Sequence, residues 1–160
     1  MLTPAVLEKT NHDKDFIRKK ALTCLEQIAL KSPEAVDQVV EQCLQSLGDK
    51  DPGVVFCSVT CLTSILKKYP LIEVPIFEGI FQIQRQILDK KLPTEYNVMR
   101  IPAPWGQVVL LRIMRILNKR QIIPKDMELD IIFLLTETLE QPILEENTMI
   151  HAVIFECKSY

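Results

Sequence analysis

The side chains best suited to metal binding or nucleophilic chemistry in this 160-residue chain are five cysteines and two histidines, and their spacing argues against both. Cys57 and Cys61 stand four residues apart, so a helix would carry both thiols on one face. A metal site needs further converging ligands. His12 and His151 lie too far apart in the chain to belong to one structural repeat. His12, beside Asp13, reads as part of a solvated turn, and His151, between Ile150 and Ala152, as a helix-face residue. There is no Gly-rich phosphate loop, no nucleophile elbow and no Cys-x-x-Cys pair. Glu137, Glu140, Glu145 and Glu146 form an acidic stretch that reads as a solvated face. No catalytic residue, cofactor or metal ligand is assigned. The odd set of cysteines (Cys24, Cys43, Cys57, Cys61 and Cys157) sits inside apolar helical patterns and reads as reduced core residues of a cytosolic protein.

Two basic groups are the remaining candidates. Lys14, Arg18, Lys19 and Lys20 cluster near one predicted helix start. Arg112, Arg115 and Lys119 recur at offsets of 3 and 4, which aligns them along one side of a helix. Either group could dock an acidic protein partner or an anionic lipid surface. The plainer reading is a solvated edge, with Arg18 bonding acidic turn residues of the adjacent repeat. A net charge of −2 and a pI near 5.7 argue against a dedicated nucleic-acid binder.

The elements that position these groups follow from composition and repetition. Apolar residues are 48% and charged residues 25%, ordinary values for a folded chain of one domain. With 4 Gly against 10 Pro, the chain lacks the turn glycines of a many-stranded β protein. The densest apolar run, Ile131 to Leu135, is far shorter than the roughly 18 residues of a membrane span. No secretory signal is readable at the start. The last residues, Cys157 to Tyr160, read as helix without a stop signal. We therefore expect a piece of a longer protein, cut at both ends.

Laid over itself with a shift of 37 residues, the stretch from Thr23 to Pro33 falls on Thr60 to Pro70, and six of eleven positions are identical. Ile17 then falls on Val54, Ala21 on Ser58 and Cys24 on Cys61. That period, with helical patterning, lies close to the HEAT and armadillo range. Asp13-Lys14-Asp15 opens a first helix whose apolar face is Ile17, Ala21, Cys24, Leu25 and Ile28. Ser32-Pro33 opens a second, with Val36, Val39, Val40, Cys43, Leu44 and Leu47, closed by Gly48 as a C′ glycine. Asp51-Pro52 caps a third, carrying Val55, Val59, Leu62, Ile65 and Leu66. Ile76, Phe77, Ile80, Phe81, Ile83 and Ile87 mark a helix near 75–90.

Residues 91–103 show no period and read as an extended loop. Pro104 opens a helix to about Lys119 with Val108, Leu111, Ile113, Met114, Ile116 and Leu117 inside. A helix near 126–140, after Pro124, carries Leu129, Ile132, Phe133, Leu135 and Leu139. Asn147 starts a last helix with Ile150, Val153 and Ile154. The expected fold is all-α: a right-handed α-solenoid of HEAT/armadillo-like hairpins, about four pairs, as one segment over 1–160. Each pair hides its apolar stripe against the next, so stability passes between neighbours.

Three stretches resemble the adaptins, the large subunits of the heterotetrameric adaptor complexes of vesicle coats. Asp15 to Ala21 is similar to the adaptin helix start with its Val-Arg-Lys-Lys-Ala run. Asp49 to Val54 resembles the turn into the next repeat. The most specific is Lys91 to Asn97, followed by Ile101 to Val108 and Leu110 to Leu117, where the family has a loop, then Pro-x-Leu-Gln-Val and Leu-Leu-Arg-Ile-Leu. The Lys-Leu-Pro and Pro-Ala-Pro-Trp wording is most like epsilon-type large subunits of the fourth adaptor complex, with gamma-type subunits close. Gly106 and Val109 depart from the usual bulky and polar residues, as does the turn over 118–128.

The resemblance implies a non-enzymatic trunk segment that binds a small sigma-type, a medium mu-type and a beta-type large chain. It implies a cytoplasmic, peripheral-membrane coat at the trans-Golgi network or endosomes, reached through a small GTPase, that sorts cargo in intracellular transport. Another helical-repeat carrier, such as a nuclear-transport receptor or coatomer-like trunk, is the alternative. It would have no need of the loop at 91–108.

Overall fold

A computed structural model describes residues 3–72, 74–98, 100–123, 125–140 and 148–158, with the side chains of 148 and 149 excepted. Eight α-helices are found among them: α1 (Thr3–Lys9), α2 (Asp15–Lys31), α3 (Val36–Ser46), α4 (Pro52–Lys68), α5 (Phe77–Leu88), α6 (Pro104–Lys119), α7 (Glu128–Leu139) and α8 (Thr148–Lys158). The fold is all-α and of the helical-repeat class expected. The chain divides into two compact units, Met1–Val74 and Pro75–Tyr160.

In the first unit the 37-residue repeat is visible helix by helix. α2 and α4 each span 17 residues and start 37 residues apart. Each ends alike: the Ser32 N–H donates to the Ile28 carbonyl and the Tyr69 N–H to the Ile65 carbonyl, both at 2.8 Å. α2 lies along α4, and α3 packs against α4. The shared core is Leu22, Leu25 and Ala29 of α2, Val39 and Cys43 of α3, and Val59, Cys61, Leu62 and Ile65 of α4. Full burial of each large side chain contributes about 1.5–3 kcal/mol. Hydroxyls bind the layers together. Tyr69 Oη donates to the Ala29 carbonyl (2.9 Å), Ser58 Oγ to the Cys43 carbonyl (2.9 Å), and Ser64 Oγ to Glu26 Oε1 (2.6 Å). Lys68 Nζ also donates to the Leu30 carbonyl.

Several sequence expectations are corrected here. The buried stripe of α2 is Arg18, Ala21, Leu22, Leu25 and Ala29, while Cys24 is exposed and Ile17 and Ile28 are half-buried. Two overlapping stripes fit the helical period, and the one containing a charged residue wins because Arg18 has an internal partner. Asp51 caps α4 as expected, its carboxylate accepting from the Val54 N–H at 3.0 Å. Ser32 stands at its expected place before Pro33 but makes no side-chain cap, and a single 3-10 turn, Pro33–Ala35, precedes α3. Gly48 follows the end of α3 without the left-handed φ of a C′ glycine. Helix α1 has no counterpart in the sequence reading. Shifted by 37 residues, Thr3–Lys9 falls on 40–46, the second half of α3, so α1 takes the place of α3 relative to α2.

In the second unit α6 is the central helix, packed against α5 and α8, with α7 beside α5 and α8. Its buried residues Val108, Leu110, Leu111, Ile113, Met114 and Leu117 surround much of its circumference, as a helix covered on several sides requires. Ile80, Phe81 and Ile87 of α5 are buried, and the Phe77 and Phe81 rings stand 6.3 Å apart. The segment before α6 is not the extended loop expected. It holds a 3-10 turn at Thr94–Tyr96 and a two-residue bridge in which Val98 and Ile101 exchange backbone hydrogen bonds of 3.0 and 2.9 Å. Ile101, Pro102 and Ala103 are buried, and Ala103 adopts a left-handed φ of 39° at the start of α6.

On α7 the expected face is also corrected. Ile131, Leu134 and Thr138 are buried, Leu135 and Leu139 are half-buried, and Leu129, Ile132 and Phe133 point outward. Ile150 and Val153 of α8 are buried as expected, with Ile154 half-buried. Pro124, Glu145, Glu146 and Asn147, singled out above, lie outside the described residues.

Candidate functional site

Two members of the first basic group, Arg18 and Lys19, close on the chain itself. Arg18, one turn into α2, reaches across to the turn before α4. There Nε donates to Asp49 Oδ2 (2.7 Å) and Nη2 to Asp49 Oδ1 (2.8 Å). Its Nη1 donates to the carbonyls of His12 (2.9 Å) and Asp13 (3.0 Å). The two side chains are only 6% and 12% exposed. A planar guanidinium in a bidentate fork is the geometry that makes a buried ion pair tolerable. Asp49 bonding holds the Arg18 charge above even its ordinary range, against the opposing effect of burial. Asp49 Oδ1 also accepts from the Asp51 N–H (2.8 Å), so one carboxylate shapes the turn that sets the α4 cap.

Lys19 lies between Asp15 (2.8 Å) and Asp51 (2.9 Å). The Lys19 ammonium lowers the Asp15 carboxyl below its usual range. Lys14 and Lys20 are exposed. The Lys14 N–H donates to His12 Nδ1 at 3.1 Å, and its ammonium stands 6.0 Å from the Phe16 ring. The pairing of Arg18 with an acidic turn of the adjacent repeat is the plainer of the two readings made from sequence.

The second group gathers around an anion that sequence reasoning missed. Arg112 Nε of α6 bonds Glu156 Oε1 of α8 at 2.6 Å, and Arg115 Nη1 stands 3.3 Å from Glu156 Oε2. Glu156 is 4% exposed, whereas Arg112 and Arg115 are 49% and 26% exposed. The second contact is an ion pair without hydrogen-bond geometry, so Oε2 is buried with no donor. Lys119, the third member, stands exposed in the last turn of α6, where the helix dipole favours a cation. The signal for Glu156 was present: it is a lone acid within the apolar run of α8.

A third cluster explains one quoted motif. Gln107, the glutamine of the Pro-x-Leu-Gln-Val pattern, donates from Nε2 to the Pro102 carbonyl at 2.7 Å and accepts from Gln84 Nε2 at 3.2 Å. Gln84, Gln107 and Thr138 are all buried. The segment before α6 is thereby fixed to α5 and α6 through paired amides inside the core, where a lost partner is costly.

Among the described residues, no three His, Cys, Asp or Glu side chains converge on a metal position, and no helix is long and apolar enough to cross a membrane. The cysteines differ from the uniform core role expected: Cys43, Cys61 and Cys157 are buried, Cys57 is half-buried and Cys24 exposed, all as free thiols. Cys61 shares an apolar layer with Cys43 of α3. The matching place beside α2 is held by the seven-residue α1. His151 is exposed on α8.

Similarity to known proteins agrees with the fold and with the loop-and-helix motif. The sequence matches the family described as the adaptin N terminal region over residues 1–159. It is 30% identical over 154 residues to AP-4 complex subunit epsilon-1 of Mus musculus, covering 96% of this chain and 13% of that protein. It is 32% identical over 115 residues to AP-4 complex subunit epsilon of Arabidopsis thaliana, covering 72% of this chain and 12% of the relative. With AP-1 complex subunit gamma-1 of Mycosarcoma maydis it shares 32% over 108 residues, 65% of this chain and 12% of the relative. The chain thus spans about an eighth of the length of the curated relatives it matches. It belongs to the adaptin family, within the N-terminal region, and its likeness runs to the epsilon-type large subunits.

Proposed function

We propose that this chain acts as a non-enzymatic scaffold segment of a vesicle-coat adaptor large subunit, serving intracellular protein transport and cargo sorting. The observation that carries the reading is the adaptin match across residues 1–159 on a helical-repeat frame. Helical repeats present long surfaces held rigid by their own stacking, which suits binding other polypeptides better than enclosing a small substrate. The partners on this reading are the other adaptor subunits: a small sigma-type, a medium mu-type and a beta-type large chain. A small GTPase and the membrane surface are reached through the assembled complex. The coat works on the cytoplasmic side of the trans-Golgi network or endosomes as a peripheral assembly.

Within that role the basic groups divide. Arg18, Lys19, Arg112 and Arg115 stabilise the frame through internal carboxylates, and Lys14, Lys20 and Lys119 remain the members open to a partner. Co-expression of the chain with sigma-type and mu-type chains, followed by size-exclusion chromatography, tests the reading. Co-elution with at least one of them is the expected result. Separate elution of every candidate subunit would count against the assignment.

A further inference from the structure

The α7 helix turns a large apolar stripe outward. Leu129, Ile132 and Phe133, at positions i, i+3 and i+4, are 79%, 60% and 62% exposed. At 100° per residue these three lie within one face, with Thr136 and Glu140 continuing it toward the C-terminal end. The opposite face, Ile131, Leu134 and Thr138, is the buried one. Ile132 also belongs to a groove of about 610 Å³ along one flank, lined by Asn118, Gln121, Lys125, Glu128 and Leu135 among others.

The charges that α7 itself carries beside this stripe have one sign. α7 carries Glu128, Asp130 and Glu137 and neither Lys nor Arg, and Glu140 closes it. Glu128 falls on one flank of the stripe and Asp130 on the other, and Glu128, Asp130 and Glu140 are exposed. Glu137 is paired with Arg85 at 2.5 Å. That guanidinium stands 5.6 Å from the Phe133 ring, so this face already accommodates one cation over its aromatic residue. Lys125 is the basic residue at the groove.

We infer that the outward face of α7 is a docking surface for a basic amphipathic helix of a partner protein. The apolar side of such a helix covers Leu129, Ile132 and Phe133. Its Lys and Arg side chains extend over the edges to Glu128, Asp130 and Glu140, in the helix-in-groove mode of recognition. The acidic rim selects for charge and speeds encounter, and the apolar centre supplies most of the affinity. The inference rests on α7 and the groove and arginine beside it, and it does not depend on which subunits the whole protein assembles with.

The test uses the full chain and two labelled helical peptides of about 18 residues, or about five turns. Both have Leu along one face; one has Lys on its flanks and the other Glu. Fluorescence anisotropy is expected to show binding of the Lys peptide, weakening as salt rises, and none of the Glu peptide in the same range. Charge reversal, Glu128→Lys with Asp130→Lys, leaves the core untouched and is expected to weaken the Lys peptide at least about tenfold. Phe133→Ala with Ile132→Ser is expected to weaken it as much, with unchanged helical ellipticity. Equal binding of both peptides, or a charge-reversed chain that binds the Lys peptide as tightly as the original, overturns the inference. So does a concentration-dependent dimer abolished by Ile132→Ser, which would make a second copy the occupant.

Discussion

The two units use buried ion pairs of opposite design. In the first, the deeply buried ion is a cation. Arg18 is held by both oxygens of Asp49 and by two backbone carbonyls, so four hydrogen bonds replace the water it lost. In the second, the buried ion is an anion, and its two cations are the exposed Arg112, hydrogen-bonded to it, and the half-buried Arg115, merely near. The difference lies in what remains when a partner is removed. Loss of Asp49 strands a charge in the interior. Loss of Glu156 frees two arginines to swing into water. A lock built around a buried cation should therefore specify its turn tightly, while one built around a buried anion whose arginines reach solvent holds two helices together less rigidly.

The largest expected effect breaks the first lock. Asp49→Ala leaves Arg18 buried without its carboxylate and should destabilise the chain by about 3–5 kcal/mol in urea denaturation followed by far-UV ellipticity. The turn should suffer too, because Asp49 also accepts from the Asp51 N–H. A loss under about 1 kcal/mol would show that water reaches Arg18 as freely as it reaches a surface pair. Glu156→Ala is the matching variant in the second unit. It should cost about 1.5–3 kcal/mol, the worth of a hydrogen bond to a charged group, since Arg112 and Arg115 recover solvent. A cost equal to that of Asp49→Ala would erase the distinction between the two designs.

The same contrast marks what could be read from the residues. The repeat was legible because the 37-residue shift preserves both helix length and the carbonyl that ends each helix, as Ile28 and Ile65 show. Arg18 was legible as a partner of an acidic turn, because Asp49 falls within the repeat turn that the shift identifies. The face of α2 was not. Ile17, Cys24 and Ile28 fit the helical period as well as Leu22 and Ala29 do, and the buried stripe contains an arginine, which argues against itself on hydropathy alone.

On α7 the pattern is degenerate for another reason. Apolar residues occupy seven of twelve positions and spread around most of the circumference, so period 3.6 selects no side. Helix α1 escaped notice because seven residues make a weak periodic signal. The shift that places Val6 on Cys43 and Leu7 on Leu44 would have found it. Glu156 stands out as the acid of α8, but its pairing with Arg112, 44 residues away, is not legible in the chain.

The smallest effect sharpens the comparison between repeat-equivalent positions. Cys24 and Cys61 match under the shift yet differ in exposure. Hydrogen bonding to Cys43 and burial push the Cys61 thiol well above its ordinary range, and burial alone pushes Cys157 up to about 11 from 9.0. Attack on a disulfide reagent requires the thiolate, so the native chain should release one fast equivalent, from Cys24, with Cys57 slower and the buried three silent until unfolding. Cys24→Ser should remove that fast phase with a change in stability within about 0.5 kcal/mol.

The raised thiols also fix a pH dependence. Between pH 9 and 11 the unfolded chain has lost the Cys157 proton that the folded chain retains, so the unfolded state binds fewer protons and stability falls as pH rises. Below pH 9 both states are protonated and this contribution is flat. Replacing Cys157 with Ala should therefore flatten part of the alkaline decline while leaving the fast Cys24 phase untouched. A Cys24→Ser chain should keep that decline in full, because Cys157 and its burial are untouched.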